Sequence, residues 1–297
     1  TGYDILFFWI ARMILASTYA LRNDKFSEEK SIPFKTVYLH GLIRDRFGKK
    51  MSKSHPETCI DPLDMIEKYG TDALRLSLVI GSTPGNDMRL YEEKIAGYRN
   101  FVNKVWNGAR FALLNVDKSD LSKDFSPSMI KSFADKWILS KLQKLIQEVD
   151  KDLKNFRLSD AGNKIYDFYW SSYCDWYLEI SKGEHKNPAV LLHVLKTSLK
   201  LIHPFMPFVS ETIWENLNTK NLLINEKWPE FDKKLIFEKE SRAMELVHEI
   251  ITQIRSIRAE SRVEPVKKIQ AVIYAGKHLS SLEEKREVIM RLARLES

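Results

Sequence analysis

Apolar residues that return every three or four positions through the second half of the chain constrain its fold more than any other feature. Ile138, Leu142, Leu145, Val149 and Leu153 fall on one helical face, as do Ile165, Phe168, Ser172 and Trp176, and later Leu195, Leu199 and Ile202. Such stripes need cover, and packed against one another they make a helix bundle. His203-Pro204 and Met206-Pro207 should break the bundle's last long helix, because proline removes a backbone donor and crowds the preceding turn. Trp228-Pro229 belongs in a connecting loop. Leu246, Ile250, Ile254 and Ile257 predict a further helix, and Ile269, Ala271 and Ile273 alternate with Gln270 and Val272 like a short strand.

The first part of the chain has a different grammar. Residues Thr1 to Leu21 are apolar on nearly every side, as expected of a helix buried within a larger fold. Phe34 to Ile43 carries β-branched and aromatic residues and ends at an Asp45–Gly48 turn signal, which predicts a central strand and a tight loop. Asp61-Pro62 marks a helix start, cap then first position, and the helix should run from Pro62 to Val79 with Leu63, Ile66, Ala73 and Leu76 inward. The Ser-Thr-Pro-Gly-Asn-Asp cluster at 82–87 is a boundary.

Composition narrows the function classes. Ile5 to Ala16, the longest apolar run, is shorter than the ~20 residues of a bilayer span and contains Arg12, so no membrane role is expected. Cys59 and Cys174 are the only cysteines and lack any zinc-type spacing, which suits a reduced, cytoplasmic protein without disulfide or bound metal. A formal charge of +7 is compatible with a polyanionic partner.

The chemistry is concentrated in Lys50-Met51-Ser52-Lys53-Ser54, which follows the predicted strand and the Gly48 turn. Two ammonium groups and two hydroxyls on one loop can wrap a triphosphate, since lysine is a mobile point charge able to follow phosphate charge as it develops. A solvated charged loop is the plain alternative. The string resembles the KMSKS loop of class I aminoacyl-tRNA synthetases, and its flanks match as well: His40-Gly41-Leu42-Ile43-Arg44-Asp45 before it, Ile60-Asp61-Pro62-Leu63-Asp64 and Tyr69-Gly70-Thr71-Asp72-Ala73-Leu74-Arg75 after it.

Thr1-Gly2-Tyr3-Asp4-Ile5-Leu6-Phe7-Phe8-Trp9 is similar to the valyl branch of that class, as are Arg99 to Asn107 with Arg110-Phe111, Tyr169 to Glu179, and His203 to Phe208. The isoleucyl and leucyl branches share the loop and the bundle and are the nearest alternatives. A tRNA-binding module without a catalytic parent and a helical scaffold without an RNA role are the readings from other classes.

The resemblance implies a mainly α protein, in which a partial α/β nucleotide-binding (Rossmann-like) segment precedes an α-helix bundle that binds the anticodon. It implies a division at 1–55 (catalytic nucleotide-binding part with the KMSKS loop), 56–125 (stem-contact region and connecting helix), 126–235 (anticodon-binding bundle) and 236–297 (start of a C-terminal subdomain). ATP with Mg2+, valine and tRNA(Val) are the implied substrates and partners of the full-length ligase. The resemblance further implies that Lys53 stabilises the departing pyrophosphate, with Lys50 assisting, and that Gly2, Asp4, His40, Gly41, Met51, Ser52 and Ser54 contribute to the ATP site. By the same resemblance Ile5 and Trp9 are expected to line the valine pocket, and Phe111, Leu178 and Glu179 to meet the anticodon by stacking and edge hydrogen bonds. On the residues alone the favoured readings are Asp4 as a helix cap, Ile5, Trp9 and Phe111 as core, and Glu179 as a solvated helix residue.

Two departures stand out. After the loop the family usually shows Gly-Asn, where this chain reads His55-Pro56-Glu57-Thr58-Cys59-Ile60 and is one residue longer. No H-I-G-H motif occurs, and Thr1 falls within a family segment. The chain is therefore expected to be a fragment that binds tRNA but is inactive by itself, with residues 1–54 forming an incomplete unit that exposes apolar surface.

Overall fold

The computed structural model describes residues 1–21, 28–51, 59–182, 186–217 and 219–296. A 3-10 turn (Tyr3–Ile5) and a wide π turn (Leu6–Ala11) lead into α1 (Arg12–Ala20), followed by α2 (Glu28–Ser31), β1 (Ile43–Arg44), α3 (Pro62–Tyr69), α4 (Thr71–Val79) and β2 (Met88–Arg89). Next come α5 (Glu92–Leu114), α6 (Lys118–Leu121), α7 (Phe133–Lys154) and α8 (Leu158–Asp167), then a π segment, Phe168–Leu178. The chain finishes with α9 (Glu179–Ser181), α10 (Pro188–Ile202), α11 (Pro207–Glu215), α12 (Glu238–Glu260), α13 (Leu279–Glu283) and α14 (Arg286–Ala293). Helix dominates, with a small parallel α/β element ahead of the helical part, as the expected fold class requires. Two compact units result: Thr1–Val102 with Glu148–Lys164 and Phe205–Phe208, and Asn103–Gln147 with Ile165–Pro204 and Val209–Ser297.

In the first unit β1 pairs in parallel with β2, Ile43 opposite Met88 and Arg44 opposite Arg89, and Gly2 bridges His40. The strand expected over 34–43 contracts to this pair: Leu42 and Arg44 accept from Met88 N (3.0 Å) and Leu90 N (2.8 Å), whereas Leu39 and His40 make single bonds, to Gly85 N (2.8 Å) and the Thr1 carbonyl (3.0 Å), that do not extend the ladder. The Asp45–Gly48 turn forms as its sequence indicates. The Asp45 carboxylate accepts from Phe47 N (2.9 Å) and Lys49 N (2.8 Å), and Gly48 takes φ +85°, a conformation that glycine adopts at no steric cost.

Helix α3 starts where its cap predicts, with Asp61 accepting from Leu63 N at 2.7 Å and Pro62 at the first position. It does not continue to Val79. Gly70, at φ +88°, ends it and α4 restarts, which turns Met65 into the core and leaves Leu63 74% exposed. Met65, Ala73, Leu74, Leu90 and Ile95 form that core, with Met51, Ile60 and Tyr69 packed on it. The opening segment exposes apolar surface, as expected of an incomplete unit: no residue of Tyr3–Ala20 is buried and Phe7, Leu15 and Tyr19 are 79, 68 and 90% exposed. Its helix is present, and its apolar sides lack cover within this chain.

The second unit is the helix bundle. Trp137, Ile138, Leu139 and Leu142 of α7, Leu191 and Leu195 of α10, and Tyr169, Tyr173 and Tyr177 of the π segment are all fully buried. Asp135, itself fully buried, ties these elements together: it accepts from the Tyr177 hydroxyl and the Asn187 amide (both 2.7 Å) and from the N–H groups of Lys131 and Ser132 (both 3.1 Å). The proline pairs break the chain as expected, since α10 ends at Ile202 and α11 begins at Pro207.

Helix α12 forms over Glu238–Glu260 as the Leu246, Ile250, Ile254 and Ile257 pattern predicts, though the residues it buries are Met244, Val247, Ile251 and Arg258. Arg258 can go inside because its guanidinium donates to the carbonyls of Glu264, Lys267 and Arg294, so burial there leaves no donor stranded. The strand expected at 269–273 reduces to one bridge, Ile269 with Leu295, and Val272 is 80% exposed; among the described residues no second strand lies beside it.

Candidate functional site

The first unit brings Gly2, Asp4, His40 and Lys50 near one another. The parallel bridge sets buried Gly2 beside His40, and a Cβ on Gly2 would stand 2.6 Å from the Asp4 carboxylate. The 44–50 hairpin delivers Lys50 to Asp4, Nζ to Oδ2 at 3.3 Å, both side chains partly in solvent. Asp4 makes no cap bond to the helix start; its carboxylate faces the lysine instead. Met51 anchors the end of the hairpin in the core.

His40 is exposed, with Nδ1 3.0 Å from the Gly41 carbonyl. Gly41 is fixed by space, since a Cβ there would fall 1.7 Å from the Asn86 carbonyl oxygen; this glycine lets two backbones touch. Ile5 and Trp9 are 39 and 53% exposed, and the Arg12 guanidinium lies 5.1 Å from the Trp9 ring centroid. Ser52, Lys53 and Ser54 lie outside the described residues.

Asp87 is the member of this cluster that the sequence did not single out. It accepts from Leu42 N (2.7 Å), Arg44 Nε (2.5 Å) and the Tyr3 hydroxyl (3.2 Å), joining the opening turn to β1. The Leu42 N–H, then the Arg44 guanidinium, hold its carboxyl below the usual range. Its only signal was its place in the Pro-Gly-Asn-Asp turn.

In the second unit Phe111, near the end of α5, and Glu179, first residue of α9, are brought together by Lys182. The lysine ammonium lies 5.3 Å from the Phe111 ring centroid and 2.5 Å from Glu179 Oε1. Leu178 is 4% exposed; its side chain belongs to the core and presents no surface to a ligand. Arg291 of α14 donates to the carbonyls of Glu179 (3.1 Å) and Ile180 (2.8 Å), pinning the segment from the far end of the sequence. No helical period reveals either Lys182 or Arg291.

Aromatic rings flanked by cations continue along the π segment. Trp170 stacks on Tyr166 at 5.6 Å with Lys104 over it, and Trp176 stacks on His248 at 3.7 Å with Arg255 over it. Half-buried rings with adjacent cations suit single-stranded RNA, whose bases offer π faces and whose phosphates offer charge. The Cys174 thiol behind them is pushed up to about 12 by burial, so it packs as a neutral group.

A nucleotide-type cluster on a parallel β element and a helix bundle carrying an aromatic, cationic surface define a class, and the chain belongs to the class I tRNA synthetases. Residues 1–91 match the model "tRNA synthetases class I (I, L, M and V)", and residues 135–273 match "Anticodon-binding domain of tRNA ligase". Within the class its sequence is similar to valine–tRNA ligases: that of Clostridium tetani is 43% identical over 99% of this chain and 33% of the relative, and that of Aquifex aeolicus 39% over 100% and 27%. The chain thus spans about a third of the length of these relatives.

Among solved structures, a ternary complex of Agrobacterium radiobacter K84 LeuRS with tRNA and LeuAMS aligns with a TM-score of 0.60 at 25% identity, over 70% of this chain and 25% of that one. Mycobacterium tuberculosis methionyl-tRNA synthetase with methionyl-adenylate aligns with a TM-score of 0.56 at 22% identity, over 72% of this chain and 42% of that one, a likeness of fold. Among the described residues no helix is long and apolar enough to cross a membrane.

Proposed function

We propose that this chain is the tRNA-binding portion of a valine–tRNA ligase, together with one ATP-handling loop of its catalytic domain. The observation that carries the reading is the Phe111–Lys182–Glu179 cluster, of which Glu179 and Lys182 lie within the residues matched to the anticodon-binding domain and Phe111 precedes them. Phe111 offers a ring for a base to stack on, Glu179 accepts from an exocyclic amine, and Lys182 holds the carboxylate until a base replaces it. Leu178 seats Glu179 from the core side.

In the full-length ligase Asp4 accepts from ribose hydroxyls, Gly2, His40 and Gly41 shape the adjacent backbone, and Met51 roots the loop. Lys50 and Lys53, with Ser52 and Ser54, stabilise the phosphates as valine's carboxylate attacks and pyrophosphate leaves. Mg2+ arrives with ATP and offsets phosphate charge. Ile5 and Trp9 meet the valine side chain. The chain divides functionally at 1–55, 56–125, 126–235 and 236–297, and the enzyme acts in the cytoplasm.

The test is a titration of the chain with tRNA(Val) and with an anticodon-swapped tRNA at two salt concentrations. Tighter binding of the native tRNA at both salts, with affinity falling as salt rises, is expected. Equal affinity for the two tRNAs would overturn the reading.

A further inference from the structure

A large cleft lies in the second unit, lined by none of Phe111, Glu179 and Lys182. Its volume is about 990 Å³, and its walls come from the first turn of α7, the start of α12, and the residues around α13. Five cations line it: Lys131, Lys136, Lys239, Arg242 and Lys285. The carboxylates present are Glu238, Glu240 and Glu284. Glu240 is taken by Lys136 at 2.8 Å, and Glu238 leans to Lys144 outside the cleft at 3.3 Å. Among the described residues, Lys131, Lys239 and Arg242 have no carboxylate within ion-pair distance.

Lys285 is the informative member. Its side chain is 5% exposed, the ammonium donating to the Ser281 carbonyl (2.7 Å) and hydroxyl (3.3 Å) and lying 5.2 Å from the Phe133 ring centroid; its third and longest contact, to Glu284, is the one an anion would replace. The single carboxylate facing it, Glu284 at 3.5 Å, is itself 78% exposed, so water screens the attraction. A buried ammonium whose counter-charge sits in solvent is costly, and an anion in the cleft would compensate it. The cleft falls at the upper end of the ~300–1,000 Å³ range of ligand sites, with room for more than a bare ion.

We propose that this cleft binds a phosphoryl group through Lys285, Lys239 and Arg242, supplied by an RNA backbone or by free phosphate. Lys239 and Arg242 are exposed and can be replaced without touching the core. Inorganic phosphate, titrated at constant ionic strength, should shift the amide NMR signals of Ser281 and Lys285. Affinity should fall at least ~10-fold in Lys239→Ala/Arg242→Ala, about the loss expected for two charge-assisted contacts, while Lys151→Ala, a lysine outside the cleft, binds as the parent does. Lys285→Met, which keeps the packing volume and removes the charge, should also lose phosphate while retaining its helical circular dichroism.

The tRNA arm separates the sources. If an RNA backbone is the ligand, the double variant lowers the slope of log affinity against log salt by about 0.7–0.9 per lost phosphate contact. An unchanged slope with phosphate binding lost identifies free phosphate as the ligand. Signals that do not move with phosphate, or a double variant that binds phosphate as the parent does, would overturn the site. Neither result depends on which anticodon the tRNA carries, so this site and the anticodon reading fail separately.

Discussion

Removing the carboxylate of Asp135 tests how the bundle holds the π segment that leads into Glu179. Asp135→Ala deprives four donors of their acceptor at once: the Tyr177 hydroxyl, the Asn187 amide, and the N–H groups of Lys131 and Ser132. Each stranded donor costs about 1–3 kcal/mol, and water entering the vacated space recovers part, so the net loss should be about 4 kcal/mol. Asp135→Asn is the informative contrast. Its amide oxygen can keep the three contacts made by Oδ2, and its NH2 can donate to the Tyr177 oxygen, so the loss should be only about 1 kcal/mol. Urea denaturation followed by tryptophan fluorescence reads mainly the same unit, because six of the seven tryptophans, all but Trp9, lie in it. Two residues after Tyr177 stands Glu179, so the alanine variant should also bind tRNA more weakly. An alanine loss under about 1 kcal/mol, or an asparagine loss equal to it, would refute the reasoning.

Three further outcomes are expected. Burial holds His193 and His248 at about 4, against an ordinary 6.5, so both rings are neutral in the fold. Their contribution to stability is complete above pH 6.5 and is lost as pH falls toward 4; near pH 5 it gives a slope of about 2–2.5 kcal/mol per pH unit, which His193→Phe/His248→Phe should flatten in urea titrations. Exposed Cys59 should react with a thiol reagent at pH 8 within minutes, whereas Cys174, raised to about 12, should react only on unfolding, as a mass-spectrometric time course would show. Gly41→Ala forces a Cβ to within 1.7 Å of the Asn86 carbonyl oxygen, and should destabilise the first unit by about 2 kcal/mol or more while leaving tryptophan-monitored unfolding of the bundle unchanged.

What could be read from the sequence was what short-range chemistry decides. The Asp61-Pro62 start, the Gly48 turn and the proline break after Ile202 each depend on one or two residues and formed as expected. Strands at 34–43 and 269–273 did not, because a strand exists only where a neighbour supplies a ladder, and alternation cannot name that neighbour. The buried face of α12 was missed because apolar periodicity gives no weight to Arg258, whose burial depends on three distant carbonyls. Likewise the π geometry of Phe168–Leu178 hid a tyrosine column at 169, 173 and 177 behind a stripe drawn at α-helical spacing. At the candidate site, Phe111 and Glu179 were legible through family resemblance, whereas Lys182, Arg291 and Asp87 join them only through contacts made in space.

Anticodon reading by this chain is tested most directly by affinity ratios for native and anticodon-swapped tRNA(Val), measured for the parent chain, Phe111→Ala and Glu179→Gln at one salt concentration. Stacking and edge contacts should give the parent a preference of about 1–3 kcal/mol per good contact, and each variant should lose most of its share while its salt dependence stays that of the parent. Variants that keep their helical circular dichroism and the full preference of the parent would contradict the account.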